Sequence, residues 1–522
     1  MGTIASTILS IGVSYIFSQV LSRYIWINKK ADGTAKQPWA PSPSMLPWMW
    51  NGLQDYQMKG SRIFTEWAND CGHFFSVKLG QKRVLVLNDG PLVKHLLINK
   101  DQYNSSKVVS GMNEIILTDN GKTVYSAPFT LYWSRIRRSI SGAINSTSAS
   151  WFDALFIKQS EKLVQAITQA WDESQQQNGG KVNGDQLRGL VDMVSLDTAL
   201  AMVMEQSQVD PDIMVKVLQL VASLEQEQAK PWMQYTTFHI PGVSLLLALR
   251  NLFLGDTSVQ HRNNLISYFM DWTRVDKTEH GKKQQQSAGG PPQMAKFMCD
   301  IQASKNDPEP EQLKKDEVII NLMHITLHSY KYLSTAIFSM IQRLATLPDI
   351  QDQLRTNPSF ADAFVKESLR YDPPVRAYTH SSRVDQDIDI GNQSYRVDED
   401  SELVVNLDAI HFDPDYYSHP TVFNPDRFVS SSDATAASQT VSVLDENPKK
   451  LPARDHLAFG VGRRFCQGSR ISEEFLKVVI LNLVHSYTFR GGNTDNVHKP
   501  GGVWSWTGRD ESMGTTITFE KR

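Results

Sequence analysis

The run at residues 459–468, F-G-V-G-R-R-F-C-Q-G, constrains this chain more than any other stretch. Its glycines Gly460, Gly462 and Gly468 allow tight backbone turns and close approach to a flat ligand. Cys466 stands among them, with Arg463 and Arg464 beside it. The following I-S-E-E-F-L-K-V-V-I-L-N-L-V has the apolar spacing of a helix, which puts Cys466 near a helix N-terminus. Adjacent cations and a helix N-terminus both favour thiolate over thiol, and the thiolate is the form that binds a soft metal. A single thiolate ligand points to heme with axial cysteine, an arrangement that pushes electron density toward O–O cleavage. The bland alternative is a glycine turn around an inert cysteine.

The body around this loop reads as helical. Apolar residues recur at three- and four-residue spacing in W-F-D-A-L-F-I-K-Q-S-E-K-L-V-Q-A-I and again over residues 318–347. Strand-like runs are few and short: residues 77–88, 387–397, 401–407 and 515–520. The expected fold class is therefore mainly α with small β-sheets (α+β). No internal repeat or composition break divides the 522 residues, which suits one large domain with a short appendage. Polar stretches at 175–184, 276–293 and 430–450 read as surface loops. A net charge of -3 argues against nucleic-acid binding driven by overall charge. Three cysteines without zinc spacing or an even pairing framework suit a reducing compartment.

The first charged side chain is Arg23, and the uncharged segment before it is long enough to span a bilayer. Residues 1–28 are expected to form a membrane anchor, 29–55 a stiff Pro/Trp-rich hinge, and 56–522 the catalytic domain. Positive charge on the C-terminal flank, at Arg23, Lys29 and Lys30, places the N-terminus in the lumen and the body in the cytosol. A cleaved signal peptide is the alternative. Met1, Gly2 and Ser6 also fit a myristoylation pattern. A second apolar stretch, at 231–254 and broken by Pro241, reads either as buried helix or as a membrane-dipping entrance.

The phenylalanine, the glycines, Arg464 two residues before the cysteine and Gly468 two after it together resemble the heme-binding loop of the cytochrome P-450 family. The resemblance covers nearly the whole chain after about residue 35. It implies the P-450 fold, here preceded by an N-terminal transmembrane helix, and heme b with Cys466 as axial ligand to the iron. Phe459, Gly460, Gly462 and Gly468 would frame the cofactor. In K-E-S-L-R-Y, Glu367 and Arg370 lie on one helical face, and Arg427 follows in F-N-P-D-R-F. By resemblance these three form a buried structural charge network behind the heme. Trp133 and Arg137 are four apart in L-Y-W-S-R-I-R-R-S-I. The resemblance assigns them to a heme propionate, with His456, Arg464 and Arg383, a role for which a planar guanidinium is suited. It further implies an endoplasmic reticulum membrane location with a single pass and a lipophilic small-molecule substrate arriving from the lipid bilayer. NADPH electrons would come through a flavin-containing reductase, docked on a basic surface of Arg135, Arg137, Arg138, Arg463 and Lys477. Trp504 and Trp506 are candidates for the pocket lining.

One motif departs from the family. Opposite Cys466, members that activate dioxygen carry a small residue and glycine, then an acid and a threonine. An ungapped count back from Pro348 puts His328 and Ser329 at the small pair, Lys331 at the acid and Tyr332 at the threonine. A one-residue shift substitutes Tyr330 and Lys331. Neither restores the acid–alcohol pair that delivers protons through water. Lys331, Tyr332 and Ser329 are therefore the expected distal groups, and three functions stand open. The first is monooxygenation. The second is reductase-independent isomerisation or dehydration of a preoxidised substrate. The third is heme binding without turnover.

Overall fold

A 32-residue helix, Lys315–Thr346, runs through the centre of the chain's computed structural model. The structure describes residues 37–43, 55–56, 59–79, 82–109, 111–178, 182, 184–204, 209–230, 257–273, 294–299, 313–429, 455–491 and 517–522. The expected anchor at 1–28, most of the hinge, the apolar stretch 231–254, the loops 276–293 and 430–450, and Trp504 and Trp506 lie outside the described residues. Among the described residues, no helix is long and apolar enough to cross a membrane.

The principal helices are α1 (Leu131–Ser146), α2 (Ala149–Asn178), α3 (Gly184–Met204), α4 (Pro211–Ala229), α5 (Lys315–Thr346), α6 (Phe360–Tyr371) and α7 (Ser469–Ser486). The predicted loop at 175–184 is shorter than expected, since α2 continues to Asn178 and α3 opens at Gly184. Helix α5 is apolar around most of its circumference, as a core helix must be. Val318, Leu322, Ile337, Ile341 and Leu344 are fully buried. Four of its buried polar residues reach four different neighbours, and a buried polar group without a partner costs roughly 1–3 kcal/mol. Asn321 holds the segment at 122–124, His324 Nε2 bonds Leu117 O at 2.8 Å, Lys331 pairs with Glu225 of α4, and the Ser334 hydroxyl donates to Asp192 of α3. These bonds set which elements dock on the central helix and in what register.

The β structure is confined to small sheets. β1 (Phe74–Leu79) pairs antiparallel with β2 (Lys82–Leu87), β2 parallel with β6 (Glu402–Asn406), and β6 antiparallel with β3 (Ala377–Ser381). A hairpin of β4 (Gln386–Ile390) and β5 (Gln393–Val397) turns at Gly391, and β7 (Tyr487–Gly491) pairs with β8 (Ile517–Lys521). All four strand-like runs of the sequence become strands; β3 and β7 carry no comparable alternation. A bridge between Ser106 and Ser381 sets the segment after Tyr103 against β3, from which it runs toward the loop holding Cys466.

Candidate active site

Backbone bonds fold residues 459–468 onto themselves. Cys466 N–H donates to Phe459 O at 2.9 Å, Gly460 N–H to Leu457 O at 2.9 Å, and Phe465 N–H to Gly462 O at 3.2 Å. Gly460 and Gly462 have φ of 75° and 62°, a region costly for residues with a Cβ. Gly462 has a second reason: a Cβ there would lie 2.1 Å from Leu97 O. It thereby lets the loop cross the π-helical turn His95–Asn99. A Cβ on Gly468 would touch Cys466 Sγ at 3.9 Å. Helix α7 begins three residues after Cys466, which forms no disulfide and is half-buried.

Two guanidiniums meet above one indole beside this loop. The N-cap Thr130 starts α1 by accepting from Trp133 N–H, and buried Trp133 donates Nε1–H to Val124 O at 3.0 Å. Arg464 lies 4.8 Å and Arg137 5.4 Å from its ring centroid. Arg137 Nη2 donates to Phe465 O at 2.6 Å, and Arg464 Nε to Ser105 O at 2.6 Å. Burial, then the neighbouring Arg137 charge, lowers Arg464 to about 9. Burial also lowers Arg137, against the opposing pull of Cys466. Among the described residues neither guanidinium has a carboxylate partner. Two crowded, partly desolvated cations without an anion next to a lone cysteine fit the propionates and iron of heme.

The other expected propionate ligands have further partners. Arg383 lies over Phe129 at 5.8 Å, one ring removed, since Phe129 meets Trp133 edge-on at 5.5 Å. His456 requires a correction. Its Nδ1 accepts from Ala458 N–H, its Nε2 lies 3.8 Å from Glu473, and its ring is 6.3 Å from His411, which sets it with the charge network behind the loop. Arg135 is also misplaced by the surface reading, because it is buried.

The network itself is closed. Glu367 and Arg370, both with wholly buried side chains, form a bidentate pair at 2.7 and 2.8 Å, and Arg427 Nε lies 3.1 Å from Glu367 Oε2. Arg370 Nη1 donates to His411 O and Pro420 O, at 2.7 and 3.0 Å. His411 Nδ1–H donates to Arg370 O at 2.8 Å, while its Nε2 accepts from Leu457 N–H at 2.9 Å. The imidazole thereby ties the network to the residue that opens the cysteine loop.

On one face of α5 lie His328 and Tyr332. The His328 and Tyr332 rings are parallel, 2° apart in plane and 5.6 Å between centroids. Burial, then the Cys466 charge, pushes the Tyr332 phenol up to about 12. Ser329 is partly exposed, whereas Tyr330 is buried. Lys331 turns to Glu225 in a pair whose side chains are 2% and 7% exposed, so it does not stand at the position expected of a distal proton donor. Sequence reasoning did not single out Tyr125, whose ring meets His328 edge-on at 4.0 Å. It is 40% accessible, and the protein around it raises its phenol well above the ordinary value, foremost by desolvation. No periodicity marks it, because it sits in an irregular loop.

Four histidines, His324, His328, His380 and His411, are buried and held below their ordinary pKa, foremost by desolvation; His324 is brought down to about 4. A neutral buried imidazole opposes protonation that the unfolded chain accepts near 6.5. Stability is thus full above about pH 6.5 and falls on acidification, by about 1.4 kcal/mol per pH unit for each such histidine. Denaturant midpoints measured between pH 7 and 5 should fall steadily; a flat profile would count against four neutral imidazoles.

A mainly helical body with small sheets, carrying a glycine-bound cysteine beside an uncompensated pair of arginines, describes a heme-thiolate protein class. The sequence profile "Cytochrome P-450" matches residues 40–503. The chain belongs to the cytochrome P-450 family, and it is an oxidoreductase. Similar proteins include cytochrome P-450 monooxygenase 79 of Postia placenta, 22% identical over 88% of this chain and 83% of the relative. Protopine 6-monooxygenase of Eschscholzia californica is 20% identical over 94% of each chain. Among solved structures, a zebrafish cytochrome P-450 with progesterone superposes with a TM-score of 0.64 at 16% identity, covering 88% of this chain and 99% of that one. A retinoic acid-bound cyanobacterial member reaches 0.66 at 18% identity, covering 93% and 100%. The family implies heme, and the residues around Cys466 fit it.

Proposed function

We propose that this chain is a monooxygenase of lipophilic small molecules, anchored in the endoplasmic reticulum membrane by residues 1–28 and linked through a hinge at 29–55 to a cytosolic catalytic domain at 56–522. Electrons come from NADPH through a flavin-containing reductase. The observation that carries the reading is the pair of guanidiniums, Arg137 and Arg464, over the Trp133 indole beside the Cys466 loop. The heme, when bound, supplies dioxygen activation. Cys466 donates sulfur to it, and Arg137 and Arg464 neutralise its carboxylates while Trp133 fixes the planes of both guanidiniums. Tyr332 stays protonated at any physiological pH, so its phenol acts as a hydrogen-bond donor. Relatives named as monooxygenases support the same reaction class.

A second reading, rearrangement or dehydration without a reductase, rests on Lys331 and Tyr332 replacing the acid–alcohol pair, and the Lys331–Glu225 pair turns one of the two away. Membranes carrying the protein and a reductase, fed lipophilic extract of the native cell under heavy dioxygen, separate the two. NADPH-dependent incorporation of heavy oxygen is expected. Product formed without NADPH or heavy oxygen contradicts monooxygenation.

A further inference from the structure

The basic surface expected to receive an electron donor has most of its cations already engaged. Arg135 is buried, and Arg137 donates to Phe465 O at 2.6 Å. Arg463 Nε meets Asp101 Oδ2 at 2.6 Å, and Lys477 Nζ meets Glu474 at 2.8 Å and Asp362 Oδ1 at 3.4 Å. A further lysine, Lys366 of α6, is held by Asp362 Oδ2 at 2.9 Å and by Asp455 at 3.2 Å. Arg138 alone among the expected cations is exposed without an ion pair among the described residues.

The pairs differ in what they turn outward. The Lys477 and Lys366 side chains are 21% and 27% exposed, whereas those of Asp362, Glu474 and Asp455 are 47%, 48% and 55%. An approaching protein therefore meets carboxylate before ammonium. Against the opposing effect of burial, Lys366 and Lys477 hold the Asp362 carboxyl below its ordinary range, so it is charged at any physiological pH. These groups rim the cysteine loop. α7 starts three residues after Cys466 and rises about 1.5 Å per residue, which keeps Glu474 and Lys477 within about 15 Å of the loop's end. Asp455 stands on the other flank, two residues before Leu457. Opposite charges in contact act as dipoles, whose field fades within the roughly 8 Å screening length of physiological salt.

We propose that the face formed by the Cys466 loop, α6 and the start of α7 receives its electron donor as a mixed-charge surface, without long-range steering of an acidic partner. The partner is a flavoprotein whose own docking face carries both signs. Its acids exchange with Asp101 and Asp362 for Arg463 and the two lysines only on contact. The proposal rests on the reductase-dependent reading of the function. Each docking passes one electron from the reduced flavin to the ferric iron.

The test uses the full-length, heme-loaded protein in detergent solution with an acidic NADPH-dependent flavin reductase under carbon monoxide. The rate at which the red-shifted carbonyl absorption appears after NADPH is added reads electron delivery. With association limiting, that rate should change less than about twofold between low ionic strength and about 0.3 M salt, since unsteered association runs near 10⁵–10⁶ M⁻¹s⁻¹. Asp362→Asn releases Lys366 and Lys477, and Asp101→Asn releases Arg463. The two together should speed reduction about tenfold at low ionic strength, an advantage that salt removes. Asp271→Asn makes the same charge change on the helix Thr257–Thr273, which packs against α4, and should bring no such gain. A steep fall of the wild-type rate with salt, or no gain from the paired-acid variants, would overturn the proposal. So would an equal gain in Asp271→Asn, because net charge rather than pairing would then set the rate. If dithionite produces the carbonyl absorption and the reductase does not, the reductase-dependent reading fails and takes the proposal with it.

Discussion

Replacing Cys466 by serine is expected to leave a folded protein that has lost the red-shifted carbonyl absorption and at least about a hundredfold of its turnover, since loss of mere outer-shell partners already costs 10–100-fold at metal sites. The loop keeps its shape in this variant because backbone bonds hold it: Cys466 N–H to Phe459 O and Gly460 N–H to Leu457 O do not involve the sulfur. Arg137 and Arg464 still flank the site, so heme binding persists in part. What disappears is the soft, electron-rich donor. Circular dichroism should match the wild type, and carbonyl difference spectra and turnover should not. Unchanged turnover would show that the sulfur is not the ligand that matters.

Glu367→Ala should destabilise the chain by about 3–5 kcal/mol, enough to remove most folded protein from a domain whose net stability is of order 5–15 kcal/mol. Glu367 Oε1 accepts from Arg370 Nη2 and from Asn424 N–H, and Oε2 from Arg370 Nε. Removing the carboxylate strands Arg370, wholly buried, and Arg427, whose side chain is 7% exposed. Heme loading should fall too, because His411 passes the position of Arg370 to Leu457 at the start of the cysteine loop. The loss is read as folded, heme-loaded yield and as the denaturant midpoint. A midpoint shift worth less than about 1 kcal/mol would mean that the pair contributes no more than an exposed one.

The sequence made the proximal half of this site legible because its chemistry is written in contiguous motifs. F-G-V-G-R-R-F-C-Q-G holds a ligand, its turns and its flanking charge within ten positions, and K-E-S-L-R-Y places Glu367 and Arg370 on one helical face. Strand pairs such as β4 and β5 were legible for the same reason, with alternation broken at Gly391. The distal half was not. Lys331 and Tyr332 are adjacent, yet a helix turns them about 100° apart, and Lys331 goes to Glu225, more than a hundred residues earlier. His456 was drawn to the heme by its place before the loop, whereas its partners Glu473 and His411 come from α7 and a distant turn. Gly462 also makes room for Leu97 O, a contact between backbones that no side-chain pattern records. Tyr125 belongs to a loop whose position is set by Asn321 and Arg464, residues roughly two hundred and three hundred and forty positions away.

The account stands on sulfur ligation by Cys466, which iron X-ray absorption tests most directly. In the ferric, heme-loaded wild type a single sulfur scatterer should appear in the iron's inner shell beside the porphyrin nitrogens, and Cys466→Ser should lose it. An inner shell of nitrogen and oxygen alone in the wild type would contradict the account.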